Sequence, residues 1–186
     1  MKKFIAIASL AGLGLFSNAA FASDGTIHVD GEITDVTCNV VVGSAGAAGT
    51  DANATVTLPS LGANSFTGAN STAGDTTVSF DVSACAGSTA QTVTARFENQ
   101  NLDTTTGWFK NTLTTGASPN VQVQVANANG NAINAVENTN NTIGATIGDG
   151  TTSGSINYIL RYVKIDGAAI DPGAVSTDIT YSLNYN

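Results

Sequence analysis

The chain has 186 residues, with 6 basic and 14 acidic side chains, a formal net charge of −8 and only 11% charged residues. That balance argues against nucleic acid and anionic membrane surfaces, whose phosphates would repel it. A single histidine and two cysteines give too few nitrogen and sulfur donors for an ordinary zinc or copper centre, so no metal or other cofactor is expected.

The N-terminus reads as a secretory signal peptide spanning residues 1–22. Lys2 and Lys3 form the positive region, Phe4 to Phe16 the apolar run, and Ala20-Phe21-Ala22 the small-x-small cleavage site. The run is short for a spanning helix, and no later segment is apolar enough to cross a bilayer. Cleavage leaves one domain's length of chain, with four basic residues (Arg96, Lys110, Arg161, Lys164) against 14 acidic ones, a formal charge of −10. An exported chain meets an oxidising compartment, so the lone pair Cys38 and Cys85 reads as one disulfide.

Directly after the cleavage point, Gly25 to Ile33 alternates without a fault. Gly25, Ile27, Val29, Gly31 and Ile33 share one face; Thr26, His28, Asp30 and Glu32 share the other. Terminal tails seldom carry such a pattern. A strand this regular, with nothing before it to hold it, is expected to fit a groove.

Beyond it, short β-rich runs alternate with Gly, Asn, Asp and Ser clusters, the pattern of an all-β sandwich or barrel. Strands are predicted over Val36–Val42, Ala54–Leu58, Thr77–Ser83, Thr92–Glu98, Trp108–Leu113, Val121–Ala126, Ser155–Lys164 and Val175–Tyr185. Gly43–Asp51, Gly62–Gly74 and Asn127–Gly154 read as loops, the last with a tight-turn signal at Asn129-Gly130. Asp171-Pro172-Gly173 reads as a further turn. The last segment alternates again: Gly173, Val175, Thr177, Ile179, Tyr181, Leu183 and Tyr185 lie on one face, and the chain stops at Asn186. Both ends of the exported chain are therefore amphipathic strands, and periodicity alone leaves open that they pair with each other within one sandwich.

Candidate chemistry is sparse. His28 lies on the polar face of the first strand without positioned partners for catalysis. Asp30 and Glu32 read as a solvated face, and the aromatics of Trp108-Phe109 as core. No enzyme is indicated.

Four features in order make the chain resemble the structural pilins of chaperone–usher fimbriae, of the type 1 pilus shaft kind. They are the Gly25–Ile33 strand five positions before Cys38; the strand Val78-Ser79-Phe80-Asp81-Val82 before Cys85; the strand Tyr158-Ile159-Leu160-Arg161-Tyr162; and a terminal strand with penultimate Tyr185 and Gly173 fourteenth from the end. The resemblance implies an incomplete immunoglobulin-like sandwich that lacks its last strand and is completed by a donor strand from a neighbouring subunit. Residues 23–34 are then the donor extension and 35–186 the pilin domain. Gly25, Ile27, Val29, Gly31 and Ile33 enter the neighbour's groove. Gly173, Val175, Ile179, Tyr181, Leu183 and Tyr185 form the acceptor edge and chaperone-recognition segment. The implied partners are other copies of the chain in a head-to-tail polymer, a periplasmic chaperone, an outer-membrane usher, and a host or surface receptor. The implied location is the cell surface, and the implied role is a pilus shaft subunit supporting adhesion and biofilm. A minor adaptor or adhesin subunit is the alternative. A two-domain tip adhesin needs a receptor-binding domain before Cys38, for which there is no room.

Overall fold

Alternating runs of Val, Ile, Phe and Tyr with polar residues can bury one face of each strand, and two sheets result. The structure, a computed structural model, describes residues 37–98 and 101–186. Its strands are β1 (Thr37–Ser44), β2 (Thr72–Ala86), β3 (Gln91–Glu98), β4 (Phe109–Lys110), β5 (Val121–Asn127), β6 (Ala145–Ile147), β7 (Gly154–Lys164) and β8 (Thr180–Tyr185). One sheet has the order β1-β2-β7-β5-β4 and the other β6-β3-β8. All pairings between these strands are antiparallel.

The sheets face each other across an apolar core. Val78, Phe80, Val82, Val123, Val125, Ile156 and Tyr158 from the larger sheet meet Val93, Ala95, Phe97, Ala145 and Ile147 from the smaller. Phe97 packs edge-on against Phe80 at 6.0 Å and Tyr158 at 4.9 Å between ring centroids, joining the two layers. The fold is thus all-β, as the strand spacing predicts, and of the sandwich or barrel it left open it is the sandwich that the family resemblance implies. Cys38 and Cys85 form the expected disulfide, tying the start of β1 to the end of β2.

Tyr158 carries the main polar link in this core. Its hydroxyl accepts the Ala95 N–H at 2.9 Å and donates to Asn141 Oδ1 at 3.1 Å, while Asn141 Nδ2 donates to the Ala95 carbonyl at 2.7 Å. β6 covers only the first part of β3, so these two side chains take over the backbone groups of Ala95 where β6 has ended.

β5 is buried on both faces. Its outer face carries Gln122 and Gln124, which the sheet could not bury bare. Asp103 and Thr106 bond Gln122, and Arg161 Nε donates to Gln124 at 2.8 Å. The Thr105 N–H, followed by the Gln122 amide, holds the Asp103 carboxyl below its ordinary value.

Several predicted elements change on folding. Trp108–Leu113 contracts to the two residues of β4, with Phe109 fully buried and Trp108 only half-buried. Ala54–Leu58 is not a strand of either sheet. The predicted loop Asn127–Gly154 contains β6. Asn129-Gly130 does turn, with Gly130 at φ +85 and its N–H on the Asn127 carbonyl at 2.8 Å. Residues 171–173 carry no turn; Gly173 is required there by space, as described below.

Candidate functional site: the groove beside the C-terminal strand

Among the described residues, three of the four sheet edges are blunted, as β proteins require to avoid edge pairing. β4 has two residues and β6 three, and the chain after β1 folds back so that Val42 N–H bonds the Asp51 carbonyl at 2.8 Å. The fourth edge is β8 and the segment leading into it.

Hydrogen bonding along this segment alternates strictly. Ala174 and Ser176 bond the 111–118 segment through both backbone groups: Ala174 N–H to Gly116 O at 2.7 Å, Ser118 N–H to Ala174 O at 3.0 Å, Thr112 N–H to Ser176 O at 2.8 Å, and Ser176 N–H to Asn111 Oδ1 at 3.0 Å. The Asp178 carbonyl accepts from Asn101 Nδ2. From Thr180 onward β3 takes over, ending in the reciprocal Thr92–Asn186 pair. Even-numbered residues thus turn their backbone groups to the body of the protein. By the geometry of an extended chain, Val175, Thr177, Ile179 and Tyr181 turn theirs the other way. Among the described residues no strand pairs with that side.

Facing it across a groove of about 710 Å³ runs a second extended segment, residues 52–58. Val56 and Leu58 point into the core while Thr55 and Thr57 are exposed, which is strand alternation without sheet membership. The floor between the rims is made of core side chains: Val78, Phe80, Phe97, Val123, Tyr158 and Leu160. Tyr181 joins the rims. Its ring lies edge-on to Phe80 at 4.7 Å, and its hydroxyl donates to the Ala52 carbonyl at 2.8 Å. Burial and then the nearby Asp51 carboxylate push the Tyr181 phenol up; burial alone does so at Tyr162, which lines the same groove.

The sequence-predicted acceptor residues divide. Val175, Ile179 and Tyr181 line the groove, whereas Leu183 and Tyr185 pack against the core outside that lining. Gly173 abuts the 117–118 backbone, and a Cβ there would lie within 2.5 Å of both Ala117 O and Ser118 N. The donor residues Gly25, Ile27, Val29, Gly31 and Ile33, together with His28, Asp30 and Glu32, lie outside the described residues. The second rim was read only as a strand; its signal was the alternation in Ala54–Leu58, which does not reveal a missing partner.

A second hollow, of about 560 Å³, lies by Asp103, Lys110, Asn111 and Gln122. Its amides are already committed: Gln122 to Asp103 and Thr106, and Asn111 to the backbone of residues 113, 118, 174 and 176. Among the described residues no three His, Cys, Asp or Glu side chains converge as metal ligands.

Fold and groove together define an all-β sandwich subunit whose described residues leave one edge unpaired. The chain belongs to the fimbrial protein family, whose pattern matches residues 27–186. It is 35% identical to the F17 fimbrial protein of Escherichia coli, over 91% of this chain and 89% of that protein. It is 32% identical to the major fimbrial subunit SMF-1 of Stenotrophomonas maltophilia strain K279a, over 90% and 96% of the two chains. Among solved structures, a chaperone–usher pilus chain superposes with a TM-score of 0.54 at 15% identity, covering 88% of this chain and 96% of that one; this likeness speaks to the fold. The protein is accordingly a fimbrial subunit, a pilus component of the cell surface.

Proposed function

We propose that the chain is a shaft subunit that polymerises by donor-strand exchange after chaperone–usher export. Residues 1–22 are the removed signal peptide, 23–34 the donor extension and 35–186 the receiving domain. The observation that carries this reading is the groove itself. Two extended rims, residues 52–58 and 175–181, flank a groove lined by core side chains, and the inner side of the C-terminal rim has no strand beside it among the described residues. An added strand would cover the core and satisfy the backbone at once, which is β-strand addition.

The leader Gly25–Ile33 has the matching alternation. Burying Ile27, Val29 and Ile33 would contribute roughly 5–9 kcal/mol before ordering entropy, with the backbone ladder in addition. Donor and acceptor are different surfaces of one chain, so the contact is heterologous and propagates as a filament. Before assembly the open edge is an aggregation hazard, which a periplasmic chaperone would cover until the outer-membrane usher delivers the next copy. Adhesion and biofilm formation follow from the filament.

Electron microscopy of cells expressing the chain with its export partners tests the assignment. Antibody labelling along the length of surface fibres is expected; labelling confined to tips would instead make it a minor adaptor.

A further inference from the structure

We propose that Thr177 sets the register of the incoming strand, which is Gly25–Ile33 of a second copy lying antiparallel with Gly31 opposite Thr177. The inference rests on the strand-exchange reading above, with its antiparallel strand, and adds to it the residue that selects the register.

The inward series along the C-terminal rim is Val175, Thr177, Ile179, Tyr181, Leu183 and Tyr185. The Tyr181 hydroxyl is satisfied by Ala52. Thr177 is different: its Oγ1 is shut off from solvent and has no hydrogen-bond partner, in the wall of the groove. In an antiparallel pair, residues that share a face stand directly opposite each other. With Gly31 at Thr177, Ile33 meets Val175, Val29 meets Ile179 and Ile27 meets Tyr181. Gly25 then meets Leu183, which already packs on the core. Gly31 has no side chain, so the Thr177 hydroxyl can turn about χ1 toward the donor backbone or a bridging water.

A two-residue slip either way brings Val29 or Ile33 over Thr177 and seals the hydroxyl without a partner, the expensive arrangement for a buried polar group. One slipped register gains His28 opposite Asp178 on the solvent face, whereas the proposed one sets Asp30 there. Exposed charge pairs are weak and screened by salt, so the buried hydroxyl decides.

In this polarity the occupant is a second copy because of reach. Only three residues separate Ile33 from Thr37, a span of at most ~14 Å. Thr37 pairs with Ala86, at the far end of β2 from the groove, while Phe80 lies under Tyr181. The Tyr185 end of the rim lies toward Val82, through Val93, Ala145 and Gly154. From Ala86 to Phe80 is six residues, and from Tyr181 to Val175 six more in the same direction, roughly 40 Å at strand rise. A subunit's own Ile33 therefore cannot stand opposite its own Val175.

The test traps cysteines on the outer face, where opposite residues form non-hydrogen-bonded pairs at disulfide spacing. Polymers of the full chain, made with its export partners, would carry His28→Cys with Thr180→Cys, with Asp178→Cys, or with Ala174→Cys. A reductant-sensitive intersubunit ladder is expected only with Thr180→Cys. A ladder with Asp178→Cys overturns the register but leaves strand exchange standing, and one with Ala174→Cys overturns the polarity. A ladder with none of the three overturns the inference alone, since the register with Ile33 over Thr177 sets His28 opposite Ser182; strand exchange itself is then read from whether the 23–34 peptide stabilises the chain. The role of Thr177 is read separately with 23–34 peptides. The mature chain should prefer the native peptide over the Gly31→Val peptide by at least about tenfold, and Thr177→Val should erase that preference. An unchanged preference in Thr177→Val removes Thr177 as the selecting residue.

Discussion

Replacing Tyr158 by Phe removes one oxygen from a site where nothing else can take its place. Tyr158 and Ala95 are both fully buried, and the hydroxyl serves two partners, the Ala95 N–H and Asn141 Oδ1. Ring packing against Phe80 and Phe97 is unchanged by the substitution, so the loss is confined to hydrogen bonding. Two buried groups left unpaired cost about 1–3 kcal/mol each, or about 2–5 kcal/mol for the pair allowing for partial relaxation. For a domain of this size that lowers Tm by about 5–15 °C. Thermal unfolding of the mature chain by circular dichroism gives the shift directly. Asn141→Ala in a double-mutant cycle should show strong coupling, with the double variant well above the sum of the singles in stability. A shift below about 2 °C, or strict additivity, would refute the claim that this triad holds the two sheets together.

Three further outcomes follow from the same structure. Burial raises the phenols of Tyr158, Tyr162 and Tyr181, with Asp51 adding to the effect at Tyr181. The folded state therefore holds protons that the unfolded chain releases above about pH 10, and stability is complete below that pH and lost as pH rises through the folded values; a denaturation midpoint already falling between about pH 7 and pH 9 would contradict this. Opening the Cys38–Cys85 link, which spans 47 positions, should cost about 4 kcal/mol in the chain-entropy account, seen as a lower urea midpoint for the Cys38→Ser, Cys85→Ser chain. Gly173→Val has to displace the Ala117–Ser118 backbone and should cost about 1–3 kcal/mol; faster proteolysis within residues 111–118 would locate the damage, and an unchanged Tm would show that the close approach does not matter.

Much of the fold was legible because its strands alternate apolar with polar side chains. β2, β3, β5 and β7 fall within a few residues of their predicted spans, and Phe109 sits in the core as an aromatic in a β-run should. What alternation could not show was pairing. β6 has three residues between Gly144 and Gly148, too few for a period to register. Trp108–Leu113 alternates well enough to be a strand, yet past Lys110 its backbone turns to bond Ser176 rather than a sheet neighbour. Val175–Tyr185 reads as one strand and is hydrogen-bonded as two stretches, to residues 111–118 and then to β3. Gly173 was read through glycine's freedom in turns, but its neighbours show that the missing Cβ is what counts. At the site, one rim was legible from the terminal alternation. The other, residues 52–58, could be seen only once the chain had placed it opposite the first.

The central claim is that the groove beside residues 175–181 takes the leader strand of another copy. The most direct measurement is the thermal stability of the mature chain, purified without partners, with and without a peptide spanning Ser23–Thr34. The account predicts a saturable, concentration-dependent rise in Tm and loss of slow self-association, both abolished by scrambling the alternation of the peptide. A robust monomer that gains nothing from the peptide would contradict it.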